Sequence, residues 1–301
     1  MIRIFIFTTT LLLSVLNSDN SFNLIANSNE PELSFGVVTD VQYCNCDSAG
    51  TRFYNRSLIK LKEAVNTFNT KDLDFMISLG DLIDRDLVSF DPVLKILNEY
   101  KNPVYHTLGN HDFDVEDHLK ENVYEILDVN KGYYSQEYGR YKLIVLNSND
   151  ISIYSPYQEQ KDKASEMLTS LISGNAINAH DWNGGIGKEQ RNWLLDELVE
   201  ASNNQLKVII FSHHPVWPQS TLNVLNYMEM LDIVSNFSNI IGWFSGHKHE
   251  GGYGNYNNTH HVNFRGMVET PNLNSYAVVE IYKDKIWIKA FGREKGQILA
   301  L

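Results

Sequence analysis

Short apolar runs of strand length recur along this chain, and segments with the spacing of an amphipathic helix lie between them. The runs are SFGVVT, FMISL, PVYHTL, KLIVLN, KVIIFS, IIGWFS, YAVVEIY and KIWIKAF. Helical spacing of apolar residues occurs in SLIKLKEAVNTF, EQRNWLLDELVEA and TLNVLNYMEMLDIVS. Strands that alternate with helices predict an α/β fold with several parallel strands, and the last two runs indicate an antiparallel portion.

The charge balance narrows the classes of ligand. The formal net charge of the 301 residues is -12, and this argues against non-specific nucleic-acid binding, which needs clustered Lys and Arg to neutralise phosphates. A phosphate-bearing ligand would therefore require positive charge from another source. A bound metal ion is the obvious candidate.

The amino terminus, MIRIFIFTTTLLLSVL, resembles an export signal. Arg3 precedes an apolar stretch from Ile4 to Leu16 that is too short to cross a bilayer comfortably. An uncleaved membrane anchor and a buried strand are the alternatives. We predict a signal peptide or anchor with a linker over residues 1–30, a single catalytic domain over residues 31–301, and an exported protein, periplasmic or secreted.

The two cysteines, Cys44 and Cys46, are separated by one residue. A disulfide at this spacing needs a strained loop, so two free thiols are predicted. A zinc cluster would need more soft ligands at wider spacing.

Five of the strand-like runs are each followed by side chains that can bind a metal ion, in the stretches TDVQY, LGDLID, LGNHD, SHHP and SGHKH. Each residue alone could be a turn or cap residue. Ligands in α/β folds, however, collect beyond the carboxyl ends of the strands. We therefore expect the set to meet at one edge, with the glycines beside GHKH giving two imidazoles room to approach one centre. The candidates in these stretches are Asp40, Gln42, Asp81, Asp84, Asn110, His111, Asp112, His213, His214, His247 and His249.

The order of these stretches resembles the calcineurin-like metallophosphoesterase superfamily, whose usual pattern is DxH, GDxxD, GNHD or GNHE, a histidine in the fourth block, and GHxH. This chain has Gln42 where the superfamily more often has histidine. In that respect, and in the stretches TRFYNRSL, NGGIGKEQRNWLLDEL, GHKHEGGY and HHVNFRGMVET, it is similar to the manganese-dependent ADP-ribose/CDP-alcohol diphosphatases. The resemblance implies a four-layer α/β/β/α sandwich of two mixed sheets.

The resemblance also implies two divalent metal ions. Asp81 would bridge them, and two sets of three residues would complete the two sites: Asp40, Gln42 and His249, and Asn110, His213 and His247. Carboxylate, amide and imidazole ligands suit Mn(II), Fe or Zn, and the neutral oxygen of Gln42 favours Mn(II). A water between the ions would lose its proton near neutral pH and attack phosphorus.

Three residues near the ligands are expected to assist. His111 can reach the site without occupying a coordination position, which suits a general acid for the leaving oxygen. Asp112 either orients the imidazole of His111 or caps a turn. Asp84 is expected to hold the loop or a ligand histidine.

Two further residues are candidates for contact with the substrate. Arg52 could pair with a second phosphate through its guanidinium fork, or it could lie in a solvated helix start. Tyr43 could stack on a base, or it could pack in the core.

The resemblance thus implies a metal-dependent hydrolase that splits the diphosphate of ADP-ribose or of CDP-alcohols such as CDP-choline. A phosphomonoesterase or cyclic-nucleotide phosphodiesterase with the same metals is the alternative, because specificity lies in the loops. The expected partner is a small nucleotide diphosphate, and binding to nucleic acid is not expected. Contact with a membrane is expected only through an uncleaved amino terminus, and the chain is expected to be a monomer.

Overall fold

The computed structural model describes residues 30–301 of the chain. The predicted signal peptide or anchor and nearly all of its linker lie outside the described residues. Among the described residues, no helix is both long and apolar enough to cross a membrane.

The described residues form twelve strands and six α-helices. The strands are β1 Leu33–Val38, β2 Phe75–Ser78, β3 Val104–His106, β4 Tyr134–Tyr138, β5 Tyr141–Val145, β6 Lys207–Ser212, β7 Ile240–Ser245, β8 Gly252–Tyr256, β9 Thr259–Asn263, β10 Ser275–Ile281, β11 Lys285–Gly292 and β12 Gln297–Ala300. The helices are α1 Ser57–Asn69, α2 Phe90–Leu97, α3 Asn122–Ile126, α4 Gln158–Ser173, α5 Lys188–Asn203 and α6 Tyr227–Val234.

The strands form two six-stranded mixed sheets. The first sheet has the order β12-β11-β10-β1-β2-β3, and the second has the order β4-β5-β6-β7-β9-β8. β1, β2 and β3 are parallel, as are β5, β6 and β7, whereas β10, β11 and β12 are antiparallel. All eight predicted strands are present, and the expected combination of parallel and antiparallel strands is confirmed.

An aromatic layer joins the two sheets face to face. Phe35 of β1 stacks on Phe75 of β2, with ring centroids 4.8 Å apart, and it meets Phe211 of β6 and Phe244 of β7 from the opposite sheet. All four rings are fully buried, so the contact removes a large apolar area from water. The sheets are thus held in a fixed relation.

Helices cover the outer faces of both sheets. Leu61, Val65 and Phe68 of α1 pack with apolar residues of α2 against the first sheet. Leu194 and Leu198 of α5 pack with residues of α6 against the second sheet. The architecture is therefore helix, sheet, sheet, helix, and the predicted four-layer sandwich is confirmed.

Helix boundaries differ from the predicted pattern in one segment. In TLNVLNYMEMLDIVS, the helix α6 begins at Tyr227. The preceding part is a turn, because the side chain of Asn223 accepts a hydrogen bond from the hydroxyl of Ser220 and the amide of Val224 bonds to Pro215. The local polar bonds replace helical ones there.

The prediction of two free thiols is wrong in this structure. Cys44 and Cys46 are joined as a disulfide, with Cα atoms 5.3 Å apart. A disulfide normally spans Cα distances of about 4.4 to 6.8 Å. The bend between the two residues is sufficient to bring them into that range.

Candidate metal centre

The centre lies where the carboxyl ends of strands from both sheets meet. The loops after β1, β2 and β3 carry oxygen ligands, and the loops after β6 and β7 carry histidines. Gly246, which follows β7, passes so close to the first sheet that a Cβ atom there would lie 2.0 Å from the hydroxyl of Thr39. A residue with a side chain would push the two strand ends apart.

Four candidate ligands have backbone conformations that side chains rarely adopt. The φ angles are +49° at Asp40, +43° at Gln42, +56° at Asp81 and +64° at His247. Each such residue costs of order 1–3 kcal/mol, and such strain concentrates at functional sites. The strained turns direct these side chains inward at the cost of local stability.

Asp81 is the most connected carboxylate of the centre. Its Oδ2 accepts a 3.0 Å hydrogen bond from Nε2 of Gln42 and lies 3.3 Å from Nε2 of His213. Its Oδ1 accepts a 2.8 Å bond from the amide of His111. The side chain is fully buried, so a negative charge is held in contact with residues from both sheets.

A second carboxylate and histidine pair lies beside Asp81. Oδ1 of Asp40 is 3.1 Å from Nε2 of His249. The other ring nitrogen of His249, Nδ1, is 2.7 Å from Oε1 of Glu269. Glu269 thereby fixes which nitrogen of His249 faces the centre, as carboxylates do behind metal-ligating histidines.

The other two candidate histidines are oriented in the same manner. His213 donates from Nδ1 to the carbonyl oxygen of Leu79 at 2.7 Å, and His247 bonds from Nε2 to Oδ1 of Asn183 at 3.2 Å. The remaining nitrogens, Nε2 of His213 and Nδ1 of His247, are 3.2 Å apart at the centre. Each imidazole therefore turns one ring nitrogen toward a shared point, where a metal ion would take the place of a proton.

Two buried oxygen atoms support a cation at this point. Within residues 30–301, Oε1 of Gln42 and Oδ1 of Asn110 have no hydrogen-bond partner. Both side chains are at most 2 % exposed, and leaving a buried acceptor unpaired costs about 1–3 kcal/mol. Oxygen and imidazole ligands together suit Mn(II), Fe or Zn. The donor set therefore fits divalent metal ions.

The electrostatics of the cluster favour ionised carboxylates beside positively charged histidines. Burial opposes it, but the positive charge of His213 holds the pKa of Asp81 well below its usual value. Conversely, although burial lowers the pKa of His213 and His249, the carboxylates of Asp81 and Asp40 raise each to about 9. A hydrogen bond from His249 lowers the pKa of Glu269 to about 2. The carboxylates are thus ready to hold cations.

The candidate acid His111 is oriented by Asp84 and not by Asp112. Nδ1 of His111 lies 3.4 Å from Oδ2 of Asp84, and Nε2 lies 3.3 Å from Nη1 of Arg52 at the pocket surface. Burial lowers the pKa of His111, but the charges of Asp81 and Asp84 outweigh it and raise that pKa. The two carboxylates therefore shift His111 toward the protonated form that a general acid needs, whereas the guanidinium of Arg52 beside Nε2 opposes that shift.

Asp112 has a structural task of its own. Its carboxylate accepts hydrogen bonds from the backbone amides of Gly109, Asp81, Leu82 and Ile83. Of the two roles left open by the sequence, the turn-stabilising one agrees with the structure, because this carboxylate contacts the loop amides. It holds the Asp81 loop against the Asn110 loop.

The second histidine of SHHP and two aromatic residues near the ligands in sequence lie in the pocket wall and in the core. His214 is buried behind the centre, where it bonds to Ser148 and to the carbonyl of Trp182. Tyr43 packs against the apolar cluster under α1, and Phe113 is 1 % exposed there. Neither aromatic ring lines the pocket described below, so the proposed contact of Tyr43 with a base does not agree with the geometry.

A pocket of about 380 Å³ opens over the centre. Its floor contains Gln42, Asp81, Asn110, His247 and His249. Its rim contains six residues that reach solvent or the outer loops: Arg52, His111, Tyr154, Trp182, Leu222 and Glu250. Arg52, predicted as a substrate contact, therefore lies at the pocket mouth next to His111.

A larger cavity of about 840 Å³ lies elsewhere, between α4, α5 and α6. It is lined largely by apolar side chains such as Met167, Leu171 and Ile177. The candidate metal ligands are not among its lining residues. The larger of these two cavities is therefore not the one that contains the candidate metal ligands.

Sequence reasoning did not identify four residues of the site. Glu269 and Asn183 orient His249 and His247, and Trp182 and Tyr154 line the pocket. Glu269 and Asn183 lie in stretches that the sequence had marked, HHVNFRGMVET and NGGIG. The sequence alone does not show that those two stretches lie beside GHKH in space.

Residues 33–251 match a family described as Calcineurin-like phosphoesterase. The manganese-dependent ADP-ribose/CDP-alcohol diphosphatase of Homo sapiens is 30 % identical over an alignment of 323 positions, which covers 91 % of this chain and 94 % of that protein. The protein of the same name from Oryza sativa is 30 % identical over 296 residues, covering 87 % of this chain and 92 % of that protein.

Among solved structures, a dimetal phosphatase from Danio rerio superposes with a TM-score of 0.80 at 23 % identity, covering 90 % of this chain and 99 % of that chain. A purple acid phosphatase from Lupinus luteus seeds superposes with a TM-score of 0.57 at 14 % identity, covering 90 % of this chain and 54 % of that chain. Both similarities concern the fold.

Proposed function

Because this chain belongs to the calcineurin-like phosphoesterase family, and within it to the manganese-dependent ADP-ribose/CDP-alcohol diphosphatases, we propose that it hydrolyses the diphosphate bond of ADP-ribose and of CDP-alcohols such as CDP-choline. The chain is a metal-dependent phosphohydrolase, and manganese is the metal of its relatives. The convergence of carboxylate, amide and imidazole side chains around unpaired buried oxygens is the observation that carries the proposal.

Seven side chains would hold two divalent ions. Asp81, which contacts residues of both sheets, would bridge them. Asp40, Gln42 and His249 would complete one site, and Asn110, His213 and His247 the other. When bound, such ions polarise phosphoryl oxygens and activate water for in-line displacement.

His111 would protonate the leaving phosphate oxygen. Its Nε2 is directed to the pocket mouth, and Asp84 holds the opposite nitrogen. A positioned general acid of this kind accelerates proton transfer by about 100- to 10,000-fold. Cleavage places one phosphate on each product, giving a nucleoside monophosphate and a phosphorylated sugar or alcohol.

Arg52 would bind the phosphate that is not attacked. Its guanidinium lies at the pocket mouth beside His111, and it can donate two parallel hydrogen bonds to phosphate oxygens. The chain carries a formal net charge of -12, so a fixed cation at the rim favours the binding of an anionic diphosphate.

A substrate panel tests the proposal. Purified protein with Mn(II) is expected to release AMP and ribose 5-phosphate from ADP-ribose, and CMP and phosphocholine from CDP-choline. Turnover of p-nitrophenyl phosphate or a cyclic nucleotide alone would reject the diphosphatase assignment in favour of the monoesterase or cyclic phosphodiesterase. The metal-chelated protein serves as the control and is expected to be inactive.

We further propose that the protein is exported, on the basis of the apolar stretch from Ile4 to Leu16 behind Arg3. An exported enzyme of this specificity would act on extracellular nucleotide diphosphates. Amino-terminal sequencing of the exported fraction is expected to find protein that starts after Leu16. Full-length protein that begins at Met1 in the cytosol would contradict export.

A further inference from the structure

Two aromatic residues line the rim of the catalytic pocket, and Trp182 is the more exposed of them, because Tyr154 packs partly against the apolar cluster under α1. The side chain of Trp182 is 39 % exposed and lines the pocket together with Arg52 and His111. The other aromatic residues that the sequence places beside the site, Tyr43 and Phe113, pack in the core instead. An indole at this position offers a flat apolar face and an N–H donor, which suits contact with a flat, partly polar ligand group.

The ring of Trp182 is supported from one side. The imidazole of His180 stacks on it with centroids 4.3 Å apart and planes inclined by only 7°. One face of the indole is therefore covered by a flat group. A second flat group can be added only on the other face.

The backbone around Trp182 is tied to the metal centre. The carbonyl oxygen of Trp182 accepts a 3.1 Å bond from Nε2 of buried His214, and the next residue, Asn183, bonds to His247. Gly184 lies so close to Ser148 that a Cβ atom would meet its carbonyl oxygen at 2.1 Å. The indole is thus presented by a fixed segment at a fixed distance from the metal ligands.

From these contacts we infer that Trp182 is the platform on which the nucleobase of the substrate stacks. The inference rests on the proposed function, and it assigns the nucleoside half of the diphosphate to the side of the pocket formed by Trp182 and Leu222. Stacking uses the π-face that every base has and is therefore tolerant of base identity. A single site can accept adenine and cytosine compounds for that reason.

Stacking also predicts a graded preference. A purine overlaps the indole more than a pyrimidine does, and base–aromatic stacking is worth enough for about a 5- to 150-fold change on alanine substitution. The W182A substitution is expected to lower kcat/KM for ADP-ribose by about 10- to 100-fold, mainly through KM, and that for CDP-choline by less. W182F keeps an aromatic ring, so it is expected to retain most of the kcat/KM that W182A loses.

The decisive comparison uses ADP-ribose and the same diphosphate without adenine, P1,P2-di(ribose-5) diphosphate. W182A is expected to lower kcat/KM for ADP-ribose at least about 10-fold more than for the base-free compound. The control is W287A, because Trp287 on β11 is 38 % exposed and is not among the residues that line the pocket. W287A is expected to match the unmodified protein on both compounds.

Two outcomes overturn the inference. If W182A affects both compounds equally while its manganese content stays that of the unmodified protein, Trp182 supports the centre and does not bind the base. If W182A and W182F lose efficiency to the same degree on ADP-ribose, the aromatic face is not what is recognised. An unmodified protein that hydrolyses neither diphosphate but cleaves a phosphomonoester would instead reject the proposed function itself.

Discussion

The floor and the rim of the pocket are built by different means. The floor residues Gln42 and Asp81 are fully buried, each has a positive φ angle, and their side chains are hydrogen-bonded to each other. The rim residues Arg52 and Trp182 are partly exposed and come from loops. The floor is held rigidly for one chemistry, whereas the rim can vary without disturbing it.

The floor and the rim also differ in what they cost the stability of the fold. Strained turns and unpaired buried oxygens burden the floor before any ion binds. A bound cation removes the penalty at the oxygens, so metal binding and folding stability are coupled there. None of the rim residues has a positive φ angle. Substitutions on the floor are therefore expected to change metal content and stability together, and those on the rim to change substrate preference.

The largest effect is expected from replacing Asp81 with alanine. The substitution removes the carboxylate that contacts Gln42 and His213 and leaves their polar groups without it. We expect a loss of about 1,000-fold or more in kcat, with lower manganese content measured by elemental analysis. The control is the same substitution at Asp74, an acid at the opposite end of β2 whose side chain bonds to Ser34. Unchanged turnover and metal content in Asp81→Ala would refute the assignment of the floor.

His111 lies between floor and rim, and its replacement separates the chemistry from the metals. His111→Asn removes the acid but no candidate ligand, so kcat for ADP-ribose is expected to fall by about 100- to 10,000-fold at near-normal metal content. Substrates with good leaving groups, such as a p-nitrophenyl ester of a nucleotide, need less protonation and should lose less. An equal loss on both kinds of substrate would argue against the acid role.

Glu269 tests whether the orientation of the floor histidines matters. Its carboxylate is 2.7 Å from Nδ1 of His249, and loss of such a partner typically costs about 10- to 100-fold in metal affinity. We expect Glu269→Ala to weaken manganese binding by that amount in a titration, and Glu269→Gln to recover part of it. Glu280→Gln, which alters a carboxylate bonded to Lys289 far along the sheet, should bind manganese normally.

Equal manganese binding by Glu269→Ala and the unmodified protein would show that His249 keeps its orientation without help. The comparison of floor and rim would then rest on burial and backbone strain alone.

The sequence predicts the floor far better than its supports. Buried parallel strands give continuous apolar runs, and the ligands follow each run directly, so the positions of Asp81 and His213 relative to the strands could be predicted. Strands with polar or alternating residues could not: YSQEY of β4 and GYGNY of β8 lack an apolar run. Neither strand was predicted.

The supports escaped prediction because they depend on tertiary contacts. Asn183 lies 64 residues from His247 in the chain, and no local pattern links the two. The role of Asp112 was left open for the same reason. Its partners include amides of the Asp81 loop, about 30 residues away, and only the packing of the two loops shows that it holds a loop and not an imidazole.

The smallest effect is expected at the rim, from Arg52→Ala. The guanidinium contacts His111 and lies at the partly exposed pocket mouth, where solvent weakens charge interactions. Loss of one charge-assisted bond to a phosphate is expected to raise KM for ADP-ribose by about 10-fold with little change in manganese affinity. Arg56→Ala is the matched control, because Arg56 is exposed and bonds to the carbonyl of Pro271. If Arg52→Ala lowered metal content as Asp81→Ala does, the rim would be part of the floor, and the distinction between positioning metals and selecting substrates would not hold.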